Sequence, residues 1–182
     1  MRTLSSTLTA AQQSPSSKPY PQVVIADKRA GITRLAWTRY YTGSETEGPH
    51  AACMPADGSL IRIRVDPADS VLYRQRVTSP GSGSTYTSWT SWVVTAHAVA
   101  CCATGALVLV FYISAADGKL YRFESTDSGA TWGAAVDMGD ITGVAGSRVA
   151  ACYKSTTEAI VIYNTGATIY RRRLSAGSWE AA

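Results

Sequence analysis

Charge is scarce in this sequence. Only 16% of its 182 residues are Asp, Glu, Lys or Arg, against roughly 25% in an ordinary globular domain. A solvated charged helix is thereby excluded, and 46% apolar residues exclude a disordered chain. Lysine is rarer still: 4 of the 17 basic residues are Lys and 13 are Arg, and the net charge is only +4. That is short of a nucleic-acid-binding composition, so no nucleic-acid partner is expected. The opening Met1-Arg2-Thr3-Leu4-Ser5-Ser6-Thr7-Leu8 lacks the apolar run of about 7–15 residues of a secretory signal. Nothing approaches the roughly 20 apolar residues of a membrane span. The expectation is synthesis in a bacterial cytoplasm without a signal peptide, and no membrane insertion. Cysteine is limited to Cys53, Cys101, Cys102 and Cys152, which without an export signal are expected to stay reduced. What the sequence has in quantity is 20 Ser, 20 Thr, 15 Gly and 10 Tyr, a composition of strands and turns.

An internal repeat organises the chain. Leu72-Tyr73-Arg74, Leu120-Tyr121-Arg122 and Ile169-Tyr170-Arg171 place their tyrosines 48 and 49 residues apart. A second series runs in step: Ala51-Ala52-Cys53, Val99-Ala100-Cys101 and Val149-Ala150-Ala151-Cys152, aligned to within one residue. The middle copy divides into four strands, at 98–102, 106–113, 119–124 and 132–137. Thr104-Gly105 and Ala116-Asp117-Gly118 supply the positive φ of the turns between them. The same cues recur at Asp57-Gly58 and Thr165-Gly166. A repeated four-stranded antiparallel unit of 40–50 residues is the signature of a β-propeller blade, and the fold class expected is all-β. In the first copy Ile61, Ile63 and Val65 alternate with Arg62 and Arg64, as in a sheet wet on one side. In the middle copy Leu107 to Tyr112 is apolar without a break, which predicts a sheet covered on both faces.

The hairpin after the third strand of the middle copy reads Ser125-Thr126-Asp127-Ser128-Gly129-Ala130-Thr131-Trp132. It resembles the Asp-box repeat of sialidase-type propellers, Ser-x-Asp-x-Gly-x-Thr-Trp, matching at Ser125, Asp127, Gly129, Thr131 and Trp132. Decayed copies stand at Ser79 to Tyr86 and at Ser175, Gly177 and Trp179. The resemblance implies a structural hairpin on the outer rim, in which Asp127 caps turn amides, glycine takes the left-handed conformation and tryptophan packs the hairpin onto its blade. It carries over no catalytic residue. Sialidases resemble one another in an arginine triad, a Tyr/Glu nucleophile pair and an aspartate acid, and the family's first Arg-Ile-Pro segment has no counterpart here. The nearest string is Ile61-Arg62-Ile63-Arg64-Val65.

Ahead of the repeats, Leu4, Leu8 and Ala11 have helical spacing, and Pro15, Pro19 and Pro21 make a stiff linker. Val23-Val24-Ile25 and Ile32 to Tyr41 flank Lys28-Arg29-Ala30-Gly31 like the arms of a hairpin. Leu35-Ala36-Trp37 followed by Tyr41-Thr42-Gly43-Ser44-Glu45 resembles the beginnings of bacteriophage tail-associated proteins, which implies a virion or cell-surface location. The organisation expected is an arm at 1–22, a hairpin or docking strand at 23–48, and blades at 49–96, 97–146 and 147–182, the last truncated. Three blades cannot close a ring of about 4–8, so the chain is expected to be a fragment or to self-associate.

Few residues invite chemistry. His50 and His97 stand just before Cys53 and Cys101, but a structural zinc site gathers four ligands in one framework, and these recur once per repeat. No metal, cofactor or catalytic residue is expected. Within Arg171-Arg172-Arg173, alternation puts Arg172 on the other face from its neighbours. Tyr86, Trp89 and Trp92, embedded in Ser/Thr-rich sequence, are the candidate ligand-binding residues, since aromatic faces stack on sugars; the competing role for Trp89 or Trp92 is blade packing. The functional expectation is a non-enzymatic propeller protein that binds a glycan or cell-surface receptor, with tail or virion proteins as possible partners. A structural assembly scaffold and an exo-sialidase-type hydrolase are the alternatives.

Overall fold

The computed structural model describes residues 28–29, 32–33, 48–78, 80, 88–139, 144–155 and 157–180. The chain divides into Met1–Ser44 and Glu45–Ala182. In the first part β1 (Lys28–Arg29) pairs antiparallel with β2 (Ile32–Thr33), so Lys28 and Arg29, expected in the connection between two hairpin arms, form a strand themselves. The expected arm at 1–22 and the apolar stretches at 23–25 and 35–41 lie outside the described residues.

Glu45–Ala182 is all-β. Seven antiparallel strands follow one another in chain order: β3 (His50–Cys53), β4 (Leu60–Val65), β5 (Val71–Val77), β6 (Thr90–Thr104), β7 (Leu107–Ser114), β8 (Leu120–Ser125) and β9 (Val136–Asp137). A second sheet holds β10 (Val149–Ser155), β11 (Glu158–Thr165), β12 (Thr168–Ser175) and β13 (Ser178–Trp179), again in chain order. Among the described residues there is no helix and no closed sheet. The hairpin between β12 and β13 turns on Ala176 (φ 50) and Gly177 (φ 81), two consecutive left-handed residues that match the right-handed twist of the flanking strands.

Two boundaries differ from the sequence expectation. The last strand of the first repeat and the first strand of the second are one 15-residue strand, β6. Its start pairs with β5, Arg74 facing Thr90, and its end pairs with β7, Ala100 facing Phe111. The change of partner falls where the register slips between Ala96 and Ala98 and where Val93 takes φ 57. Such irregularities bend a strand and increase its twist, which is how a continuous backbone leaves one four-stranded set and enters the next. The second correction is β9, which covers two residues instead of 132–137. The Gly133 amide bonds the Glu124 carbonyl at 2.9 Å, closing the preceding hairpin, and pairing with β8 resumes only at Val136 and Asp137.

The pairing register gives the repeat a residue-level definition. Ala51, Ile63 and Arg74 stand in one row across three strands; Ala100, Phe111 and Arg122 form the same row in the second repeat, and Ala150, Ile162 and Arg171 in the third. The next rows on the same face are Cys53–Ile61–Arg76, Cys102–Leu109–Glu124 and Cys152–Ile160–Arg173. The counterpart of Cys53 is therefore Cys102, where the sequence alignment, uncertain by one residue, places Cys101. All four cysteines are free thiols, and apolar surroundings push the Cys102 thiol well up.

Stacking follows from these faces. Ile61, Ile63, Val65 and Leu72 of the first repeat pack with Val108, Val110, Tyr112 and Phe123 of the second. On the other side of β7, Leu109, Phe111 and Ile113 pack with Val161 and Tyr163 of the third. Residues Val108 to Ile113 are all buried, as the unbroken apolar run predicts. Between the two sheets Trp179 meets Phe111 edge-on at 5.5 Å, and Arg122 lies over the Trp179 ring at 5.7 Å.

Candidate functional site

The Asp-box hairpin is built from its own side chains. Asp127 Oδ1 accepts hydrogen bonds from the Ser125 hydroxyl and the Thr131 amide, both at 2.8 Å, and its Oδ2 accepts the Thr131 hydroxyl at 2.6 Å. The Gly129 amide donates to Ser125 Oγ at 2.8 Å, and Trp132 Nε1 donates to the Gly129 carbonyl at 3.1 Å. The structure thus brings Ser125, Asp127, Gly129, Thr131 and Trp132 together as one closed turn. The Thr131 hydroxyl above all, then the Thr131 amide and the Ser125 hydroxyl, hold the Asp127 carboxyl down to about 2. A carboxylate so held is ionised and occupied, which suits a cap and not a general acid.

This shift fixes a pH dependence. Because the folded value lies below the ordinary 3.8, the carboxylate's contribution to stability is full above about pH 4 and is lost as pH falls through about 2. Asp127→Asn is expected to lower the thermal midpoint at neutral pH and to flatten its fall between about pH 4 and pH 2. Melting curves across that range check it, and an unchanged acid limb would remove Asp127 as the source.

The hairpin is also docked on the first repeat. The Ser128 carbonyl accepts Arg76 Nε at 2.9 Å, while Arg76 Nη2 pairs with Asp57 Oδ2 at 2.8 Å. Asp57 in turn caps Ser59, accepting its amide at 2.9 Å and its hydroxyl at 2.7 Å. Between β5, the start of β6 and this hairpin lies a solvent-open groove of about 340 Å3, floored by Ile61 and Gly129 and lined by Arg74, Arg76, Thr78, Ser88, Thr90 and Trp132. Arg74 lies over the Trp92 ring at 4.9 Å and has no acidic partner among the described residues. Partial burial weakens its hold on the proton, but a guanidinium still stays charged. Arg74 and Arg76 share a face because they are two apart on a strand, a spacing that is present in the sequence.

The three candidate ligand residues are not gathered into one site. Trp92 is a packing residue: Phe123 stacks on it at 4.4 Å and 8°, and Trp132 meets it edge-on at 5.1 Å. Trp89 lies on the other face, under Arg64 at 4.7 Å and Arg62 at 5.2 Å. Those two arginines are half-buried; Arg62 Nη1 donates to Gln75 Oε1 at 3.0 Å and Arg64 pairs with Asp66 at 3.4 Å. Tyr86 lies outside the described residues. Among the described residues no three His, Cys, Asp or Glu side chains converge as metal ligands. No protein-family model matches the chain, and no curated protein is similar enough to it to count as a relative.

Proposed function

We propose that this chain is a propeller-type repeat module that binds an acidic glycan without cleaving it, displayed on a virion tail or a cell surface. The observation that carries the reading is the groove beside the Asp-box hairpin. It offers a guanidinium without an acidic partner, Arg74, beside the hydroxyls of Thr78, Ser88 and Thr90 and the edge of Trp132. Guanidinium groups match carboxylates and sulfates in a planar, two-pronged geometry, hydroxyl side chains exchange hydrogen bonds with sugar hydroxyls, and an indole supplies an apolar wall. The sequence period, the four-stranded copies stacked face to face and the Asp box support the propeller reading. The non-enzymatic part is supported by the use of Asp57 and Asp127 as turn caps.

A glycan array probed with the full chain tests this. Carboxylated or sulfated glycans are expected to bind, and Arg74→Ala to weaken binding by roughly 10- to 100-fold, the effect of one charge-assisted hydrogen-bonded contact. Trp89→Ala, on the opposite face, is expected to leave binding unchanged. Absence of binding anywhere on the array, or binding that survives Arg74→Ala and is lost with Trp89→Ala, overturns the assignment. Release of product from a fluorogenic sialoside overturns the non-enzymatic part.

A further inference from the structure

The equivalent rows of the three repeats have unequal surroundings. In the first repeat Ala51–Ile63–Arg74 and Cys53–Ile61–Arg76 face the second repeat, and in the second Ala100–Phe111–Arg122 and Cys102–Leu109 face the third. Ile61 and Ile63 are each 1% exposed, and Leu109 and Phe111 1% and 0%. The same rows of the third repeat, Ala150–Ile162–Arg171 and Cys152–Ile160–Arg173, have no fourth sheet over them among the described residues. Ile162 is 46% exposed and Ile169, in the row beyond, 75% exposed; Ala150 and Cys152 are exposed too. This face repeats, position by position, two faces that the same fold buries under a neighbouring sheet, and it leaves Ile162 exposed at the middle of one row and Ile160 half-buried at the middle of the next.

Charge decides what can cover it. A second copy docking head to tail would offer the outer face of its first repeat, which carries Arg62 and Arg64, so arginine would meet Arg171. Two copies docking by the same face keep Arg171 away from Arg171 in one orientation, in which the nearest opposing cation is Arg148, one row along from Ala150 on β10. With the two-fold axis running along β11, β10 of one copy lies over β12 of the other, and a row reading small, apolar, cationic meets itself reversed. Ile162 then packs on the second copy's Ile162, and Arg171 lies over the second copy's Ala150. With strands about 4.8 Å apart and sheets about 10 Å apart, the two Arg171 backbones stand roughly 14 Å from one another. Turning the axis across the strands puts β12 over β12 and restores the repulsion. On the rim, Glu158 pairs with both Arg173 and Lys154, each at 2.7 Å, which leaves one net positive charge there.

We propose that the exposed face of β10, β11 and β12 is a self-association surface on which two copies of this chain pair about a two-fold axis along β11. This goes beyond the glycan reading and does not depend on it. A face of about four strands by seven residues measures roughly 450 Å2 in projection, at the small end of specific interfaces, so the dimer is a micromolar one.

Sedimentation velocity of the full chain from about 5 to about 200 µM tests it. A monomer–dimer equilibrium is expected. Ile162→Glu, at a position already half exposed, is expected to abolish it with an unchanged circular dichroism spectrum. Ala150→Arg, which sets two guanidiniums face to face, should weaken pairing at least tenfold, and Ala150→Glu, which gives the second copy's Arg171 a carboxylate, should tighten it at low salt. A monomer throughout the range overturns the proposal, as do open-ended assemblies, a dimer that survives Ile162→Glu, or Ala150→Glu and Ala150→Arg acting alike.

Discussion

Phe111→Ala is expected to destabilise the fold by about 3–5 kcal/mol, the range for truncating a buried phenylalanine. The ring is fully buried at the middle of β7, on the face that receives the second sheet, and it meets the Trp179 ring edge-on. Truncation removes its contacts to Val161, Tyr163 and Trp179 together, so the loss falls on the junction between the second and third repeats. For a chain of this length the thermal midpoint should drop by roughly 6–20 °C. Ile162→Ala supplies the internal control, because Ile162 holds the same position in the third repeat's row and is 46% exposed. In the monomer at low concentration it is expected to cost about 1 kcal/mol or less. Thermal melts followed by circular dichroism measure both. Equal losses at the two positions would mean that burial does not distinguish them, and the account of the stacked faces would fail.

That contrast explains why so much of the fold was legible. An apolar run without alternation, Leu107 to Tyr112, has no wet face, and the structure buries it on both sides. Alternation in Ile61-Arg62-Ile63-Arg64-Val65 marked one buried face, and Ile61, Ile63 and Val65 do turn toward the second repeat. Tyrosines at an even interval marked equivalent strands, since Tyr73, Tyr121 and Tyr170 fall at matching places on β5, β8 and β12. What the pattern could not give was continuity. Nothing in Trp89 to His97 tells two strands from one, because a bulge and a left-handed Val93 leave the local composition strand-like. The one-residue error on the cysteines has a related cause: Cys101 and Cys102 are adjacent, so only the pairing partner, Leu109 for Cys102, says which one faces forward.

The candidate site was legible in its turn chemistry and not in its geometry. Ser125, Asp127, Gly129, Thr131 and Trp132 bond to one another within eight residues, so the motif contains most of its own structure. Trp89, just before β6, and Trp92, within it, both stand in the Ser/Thr-rich stretch that makes them candidates, yet their offset of three turns them to opposite faces. One therefore packs under Phe123 and the other under Arg62 and Arg64. The groove itself depends on a contact between repeats, the Ser128 carbonyl with Arg76, and no local pattern links residues 52 positions apart.

Gly129 joins these two levels, and its substitution is the second large effect. It takes φ +80, and a Cβ placed there would overlap Ile61 Cδ1 and stand 3.2 Å from Ile61 Cγ1. Gly129→Ala therefore carries a conformational cost of about 1–2 kcal/mol and an overpacking cost of about 1–3 kcal/mol, together roughly 2–5 kcal/mol. Ile61 is 1% exposed among the apolar residues between the first two repeats, so its side chain has little room to withdraw. The two costs separate in a double-mutant cycle. Ile61→Val removes the offending Cδ1 at about 0.5–1.5 kcal/mol of its own. Combined with Gly129→Ala it should recover about 1–2 kcal/mol of the steric share and leave the conformational share, because shortening Ile61 does nothing for φ. Urea midpoints of the four proteins give the coupling. A coupling near zero would mean that the hairpin does not sit on the first repeat, and the wall that closes the groove would be lost with it.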